Sequence, residues 1–184
     1  MRQAVLEATM ELLSAEGLAG TRIADIAARA HVHEVSVYRR WGTRTNLILD
    51  ALSHRLDTEL PCPDTGSTHE DLTVFFVALA AFLATPMGRA LARVALDPPD
   101  DATQSEELRQ KFWAARLDRA GVLLQRGIAR GDLPRHTDPE FLLEVLGGTL
   151  HLRILQRDRP ADHDYVRRLV DLVLTGARST PINS

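Results

Sequence analysis

The segment from Arg29 to Arg44 holds four arginines, Arg29, Arg39, Arg40 and Arg44, against one acid, Glu34. That is a local balance of about +3 inside a chain of formal net charge −3. Guanidinium groups suit phosphate, whose oxygens they grip through parallel hydrogen bonds. Between the arginines stand His33, Glu34, Ser36, Val37, Tyr38 and Thr43. Val37 and Trp41 fall four apart, so they share one face of a helix and leave His33, Glu34, Ser36, Arg39 and Arg40 to face elsewhere. A helix of this size fits a DNA major groove, and the chemistry on offer is recognition of duplex DNA. Spacing alone leaves a second reading open, in which a small trihelical core merely carries solvated arginines.

The elements that must position these groups are three short helical patterns. One helix runs from about Arg2 to Glu16, with Val5, Leu6, Thr9, Met10, Leu12 and Leu13 on a broad apolar face, and stops at Gly17. The next has Thr21 as its expected N-cap and places Ile23, Ile26, Ala27 and Ala30 on one face. After a turn at His31 and Val32 comes the arginine-bearing helix. Thr43 is then placed to cap a further helix carrying Leu47, Ile48, Ala51, Leu52 and Leu56, which brings Arg44 and a positive helix end beside it.

The run Ala30-His31-Val32-His33-Glu34-Val35-Ser36-Val37-Tyr38-Arg39-Arg40-Trp41-Gly42-Thr43-Arg44 resembles the recognition segment of TetR-family transcriptional regulators, and the match extends upstream to Leu6 and downstream to Leu52. The resemblance implies a DNA-contacting set of Thr21, His33, Glu34, Ser36, Val37, Tyr38, Arg39, Arg40, Thr43 and Arg44. Within it Tyr38 reaches a phosphate, Val37 reads bases or belongs to the core, and Trp41 is core. Three departures bear on the operator sequence. His31 stands where the family favours glycine, so it must take a left-handed conformation or reshape the turn. His33 replaces the usual serine cap. Glu34 repels phosphate unless it accepts from a base amine, as from cytosine. The family's basic arm ahead of the first helix is absent here or has been trimmed.

Composition agrees with a globular protein. At 184 residues and 45% hydrophobic content the chain can bury a good core as one compact unit or two small ones. There is no apolar run of transmembrane length and no secretory leader pattern, so the expected location is the cytoplasm, with no membrane partner. Cys62 is the only cysteine and excludes an internal disulfide, and Lys111 is the only lysine. No histidine stands in a Glu-x-x-His pair, and there is no glycine-rich phosphate loop, nucleophile elbow or Cys-x-x-Cys. Neither an enzyme, nor a cofactor, nor a metal site is expected.

Pro61 to Ser67 is rich in breakers and marks the expected boundary between residues 1–60, a DNA-binding domain, and 61–184. Beyond it Thr68 and Asp71 resemble a capping box opening an apolar helix. Pro86 starts a short helix with Met87, Leu91 and Val94, which ends before Asp97 to Asp101. A long helix follows from Ser105 to Arg130, with Trp113, Leu117, Ala120, Leu124 and Ile128 as its stripe and Gly131 as its stop. Asp138 and Pro139 cap a helix through Leu152, Pro160 to Asp162 break the chain, and a last helix spans about Asp164 to Ala177. The expected fold is all-α with about nine helices: a helix-turn-helix domain, then a helical bundle for ligand binding and dimerisation.

Gly147 and Gly148 allow close approach between helices, either to a second copy or within one chain. The family resemblance implies a homodimer through the last two helices, a palindromic operator, and a small-molecule effector of unknown identity. The expected pocket set is Phe75, Phe76, Leu79, Phe82, Met87, Trp113, Arg116, Phe141, Val145 and Thr149, with His151 a further polar candidate. A DNA-binding dimer without an effector is the alternative.

Overall fold

The computed structural model describes residues 1–96 and 102–179. Among these the regular elements are α-helices: α1 (Arg2–Gly20), α2 (Ile23–Arg29), α3 (Glu34–Trp41), α4 (Arg44–Glu59), α5 (Thr68–Ala84), α6 (Pro86–Leu96), α7 (Ala102–Arg130), α8 (Pro139–His151) and α9 (His163–Ser179). One π turn, Leu152–Gln156, extends α8. The all-α, nine-helix expectation therefore holds among the described residues. None of their helices is long and apolar enough to cross a membrane. The break expected at Asp97 to Asp101 and the side chains of Leu91 and Val94 lie outside the described residues.

The chain divides into two compact units. The first comprises Met1–Glu59 and Thr85–Trp113. Here α1 packs on α2, α4 and α6, α3 on α2 and α4, and α6 on α4, so Thr85–Trp113 returns to the N-terminal helices. Leu6, Ile26, Leu47 and Leu52 are fully buried at its centre. Gly17 interrupts α1 with φ 68° and ψ −175°, a backbone region open essentially to glycine alone, before helical pairing resumes to Gly20. Space is not the reason for the glycine, because a Cβ there would meet nothing within 4 Å.

Thr21 does not cap α2. Arg22 occupies that position without a side-chain cap bond, and the buried Thr21 hydroxyl donates back to Gly17 O at 2.7 Å. The threonine thus closes the turn behind it, a local side chain to backbone bond that competes with capping.

The second unit begins at Leu60 with Leu60–Ala84 and resumes from Ala114. In it α5 packs on α8 and α9, and α8 on α9. Thr68 and Asp71 form no capping box. Ser67 caps α5, its oxygen accepting from Asp71 N at 2.9 Å and its hydroxyl from Glu70 N at 3.4 Å. Thr68 instead donates through its hydroxyl and its N–H to Asp132 Oδ2, at 2.7 and 3.2 Å. The fully buried Asp71 accepts from Thr65 and from Arg130 Nη2 at 3.2 Å. Arg130 also reaches Asp64 and Asp132, so the Arg-Gly-Asp tripeptide is a structural clasp with Gly131 at φ 85° closing α7. Hydrogen bonds from the Thr68 hydroxyl and N–H, together with the Arg130 guanidinium, hold the Asp132 carboxyl below its usual range.

The apolar stripe of α7 differs from expectation. On α7 the deepest residues are Phe112, Ala120, Leu123 and Leu124, whereas Trp113, Leu117 and Ile128 are half-buried. On α9 Val166, Val170, Val173 and Leu174 are buried while Leu172 is 71% exposed. Periodicity locates a stripe only to within about one position, because neighbouring residues differ by 100° around the axis. Asp138 caps α8 as expected, accepting from Glu140 N at 3.0 Å and Phe141 N at 3.2 Å. Asp162, expected only to break the chain, is the residue that starts α9, accepting from Tyr165 N at 2.9 Å.

Candidate nucleic-acid interface

The turn between α2 and α3 is built from two backbone bonds, His31 N–H to Ala28 O at 3.2 Å and Val32 N–H to Ala27 O at 3.0 Å. This paired pattern closes a helix when the residue after the cap is left-handed. His31 is that residue, with φ 54°. The turn of the helix-turn-helix is thus kept, and the histidine carries a backbone strain that glycine would not. His33 sits at the N-cap of α3 with extended backbone and no side-chain cap bond, so α3 begins on backbone bonds alone.

What holds α3 is its underside. Val37 is 1% exposed and Trp41 8% exposed. Trp41 Nε1 donates to Asp50 Oδ2 on α4 at 2.9 Å, and the same carboxylate accepts from Arg2 of α1 at 2.5 and 3.2 Å. Asp50 therefore ties three helices together behind the arginine-bearing one. Asn46 adds a bond from its side-chain amide to Trp41 O at 2.7 Å. Thr43 caps α4 as expected, its hydroxyl accepting from Asn46 N at 3.1 Å.

The opposite side of α3 is open. His33, Glu34, Tyr38, Arg39 and Arg40 are exposed and Ser36 is half-buried. Arg40 also lies 5.4 Å from the Trp41 ring centroid, a cation–π contact that steadies it. Arg44 opens α4, half-buried, with its Nε turned away from solvent. Among the described residues Arg39, Arg40 and Arg44 have no carboxylate partner, whereas Arg29 is paired with Glu11 of α1 at 2.6 Å. The positive charge available to phosphate is therefore that of three arginines. A partner that sequence spacing could not reveal neutralises the fourth.

Two members of the expected contact set are removed by burial. Val37 is core, because it shares the Trp41 face, and Thr21 is sealed behind Gly17 with its hydroxyl occupied. One exposed residue of this helix stands outside the expected set: Val35 is 77% exposed beside Glu34. Its offset of two from Val37 already sets it on the far side of the helix.

The expected pocket residues divide between the two units. Met87 and Trp113 belong to the first, where the Ser14 hydroxyl lies 3.9 Å from Met87 Sδ and Trp113 Nε1 donates to Ala95 O at 3.2 Å. In the second, Phe75 and Phe76 are buried edge-to-face with centroids 5.2 Å apart, and Leu79, Phe82, Arg116 and Thr149 are half-buried. Phe141 and Val145 do not face inward. They are 59% and 36% exposed because Leu142, Leu143, Leu146 and Leu150 take the inner face of α8. The half-buried His151 donates from Nδ1 to Gly147 O at 2.7 Å, and burial pushes its pKa below the ordinary value.

Comparison with known proteins supports both halves. Residues 5–51 match the family described as bacterial regulatory proteins, tetR family, and residues 62–173 match the tetracyclin repressor-like C-terminal domain. The chain is 36% identical to the HTH-type transcriptional regulator AqdR of Rhodococcus erythropolis over 95% of its own length and 84% of the relative's. It is 27% identical, over 93% of its length and 90% of the relative's, to the DNA-binding transcriptional repressor TetR of Mycobacteroides abscessus. The crystal structure of the TetR family transcription regulator SCO0332 superposes with a TM-score of 0.84 at 29% identity, covering 98% of each chain. With its helix-turn-helix and its later helices both matched, the chain belongs to the TetR family of DNA-binding transcriptional regulators.

Proposed function

We propose that the protein is a homodimeric repressor that occupies a palindromic operator and leaves it when a small molecule binds among its later helices. The observation that carries this reading is the outer face of α3, a pinned helix whose exposed side presents polar groups beside arginines with no carboxylate partner among the described residues. His33, Glu34 and Ser36 read base edges in this reading. Tyr38, Arg39, Arg40, Thr43 and Arg44 hold the backbone. Its sign as a repressor follows the M. abscessus relative, which is named one.

Dimerisation is assigned to the last two helices. Phe141, Val145 and Leu152 are exposed at spacings of four and seven along α8 and its π turn, and Leu172 is exposed on α9. A Cβ at Gly147 or Gly148 would meet nothing within 4 Å, so packing inside one chain gives no reason for the glycine pair. Close approach of a second copy supplies that reason. Two-fold symmetry then sets two α3 helices at neighbouring turns of one DNA face.

Residues 1–60 bind DNA in this reading, and residues 61–184 hold the effector and the partner copy. α6 packs on α1 and α4, so an effector that displaces Pro86–Leu96 tilts α4 and with it α3. A shift of a few ångströms misaligns the second half-site. Phe75, Phe76, Leu79, Phe82, Arg116 and Thr149, all of the second unit, remain the candidate lining. The protein acts in the cytoplasm, without catalysis or a cofactor.

Selecting duplexes from a random pool should yield a palindromic operator. A small-molecule library screened by thermal shift should then yield a compound that raises the melting temperature in a concentration-dependent way. By reciprocity, operator must weaken that compound by the factor by which the compound weakens operator. Equal compound affinity with and without operator overturns induction by it and leaves a DNA-binding dimer without an effector.

A further inference from the structure

Val35 is the most exposed large apolar side chain among the described residues, at 77%. A lone exposed valine is ordinary on a protein surface, and exposure alone would say nothing. Its position is what matters. Val37 and Trp41 define the buried side of α3, and at 100° per residue Val35 and Arg39, four apart, form the row farthest from them. The part of α3 that penetrates deepest into a groove therefore carries a valine, with Arg39 one turn further on and Ser36 and Tyr38 to the sides.

A valine can neither donate nor accept a hydrogen bond. Against the amine of cytosine or adenine, or the oxygen of guanine, it strips water from a polar group and returns nothing. One base edge in the major groove rewards apolar contact, the 5-methyl of thymine. Valine also suits the task sterically, because its branched Cβ leaves one strongly preferred rotamer in a helix and its methyls are held in place before binding. The surrounding arginines without carboxylate partners favour a polyanion over an apolar protein surface as the occupant of this face.

We infer that Val35 is a specificity-determining residue that reads the 5-methyl group of one thymine in each half-site. The inference rests on the DNA-binding reading above and deepens it. It also predicts that 5-methylcytosine, which presents the same methyl at the same place, substitutes in part for that thymine.

The test uses the full chain and duplexes selected by the wild-type protein from a random pool, measured at one fixed salt concentration. Each thymine of the selected sequence is replaced singly by deoxyuridine, which removes only the methyl. At one symmetric pair of positions the replacement should weaken wild-type binding about fourfold per half-site and about fifteenfold when both are replaced, the loss expected for one buried methyl each. Val35→Ala should bind the thymine and deoxyuridine duplexes alike, whereas Val35→Thr, which keeps one γ-methyl, should retain part of the preference. Putting 5-methylcytosine in place of cytosine at that position should strengthen wild-type binding and leave Val35→Ala unmoved. If deoxyuridine costs Val35→Ala as much as it costs the wild type, or costs the wild type nothing anywhere, the inference is overturned while DNA binding stands. If Val35→Ala changes self-association instead of base preference, the face serves a protein contact and the inference fails. If the wild type selects no sequence at all, the DNA-binding reading fails and takes this inference with it.

Discussion

Among the described residues, apolar side chains are exposed on α3 and on the last two helices, in opposite settings. On α3 a single valine, Val35, stands among His33, Glu34, Arg39 and Arg40. On α8 and its π turn Phe141, Val145 and Leu152 follow one another along one row, and α9 adds Leu172. A single valine set beside arginines suits a polyanion that offers an occasional methyl. A continuous apolar row suits another apolar surface. The settings differ beneath as well. The underside of α3 is fastened by the Trp41–Asp50–Arg2 chain of bonds, which holds a short helix rigid against its load. The inner face of α8 is a plain row of leucines.

The largest effect expected from breaking this contrast comes from the underside of α3. Trp41→Ala should cost about 3–5 kcal/mol of folding stability, read by denaturant unfolding, because it removes a core ring and one of the bonds that hold Asp50. Trp41→Phe should recover most of the packing but not the Asp50 bond. Exposed Tyr38→Phe, by contrast, should leave stability unchanged and weaken DNA binding only.

On the other face, Phe141→Ala with Val145→Ala should cost roughly 3 kcal/mol of association, visible in sedimentation as dissociation at concentrations where the wild type is dimeric. Binding to a palindromic duplex should fall with it, while binding to a single half-site should not. Dimers of undiminished stability would show that the exposed row of α8 serves something else.

Arg44→Ala should weaken all duplexes alike by about 1 kcal/mol and flatten the slope of log affinity against log salt by about one unit. A change in base preference with an intact slope would move Arg44 from the phosphate group to the base-reading group. Glu11→Gln makes the complementary test, since it releases Arg29 from its ion pair and should steepen the slope.

Mild acid should act through the second unit. Burial keeps His151 neutral and sets its folded pKa below the ordinary value of 6.5. The unfolded chain therefore takes up a proton first as pH falls. The stability contributed by the neutral imidazole is complete above the ordinary value and is lost as pH drops from there toward the folded pKa. The melting temperature should decline as pH falls from about 6.5, and the decline should be shallower in His151→Gln.

The smallest effect concerns the turn. His31→Gly should raise stability by about 0.5–1 kcal/mol by relieving a left-handed backbone, and His31→Ala should not, because alanine keeps the strain. A gain from both would place the strain in the imidazole rather than in the backbone.

The helix-turn-helix could be read from residues because its determinants are local. Thr43 caps the helix that follows it, Asp138 and Pro139 start another, Gly17 breaks α1, Gly131 ends α7, and Val37 with Trp41 mark a face by spacing alone. Turn and cap chemistry depends on a few neighbouring residues, so the sequence by itself determined the fold class and the position of the recognition helix. Tertiary structure decided the rest, since burial and pairing involve partners far along the chain. Glu11 removes Arg29 from the basic patch, Asp50 joins Arg2 to Trp41, and Asp132 takes the Thr68 hydroxyl from a capping role. The outward placement of Phe141 and Leu172 is of the same kind. An apolar residue at the edge of a helical stripe points inward or outward according to which neighbours occupy the core, and periodicity cannot rank them.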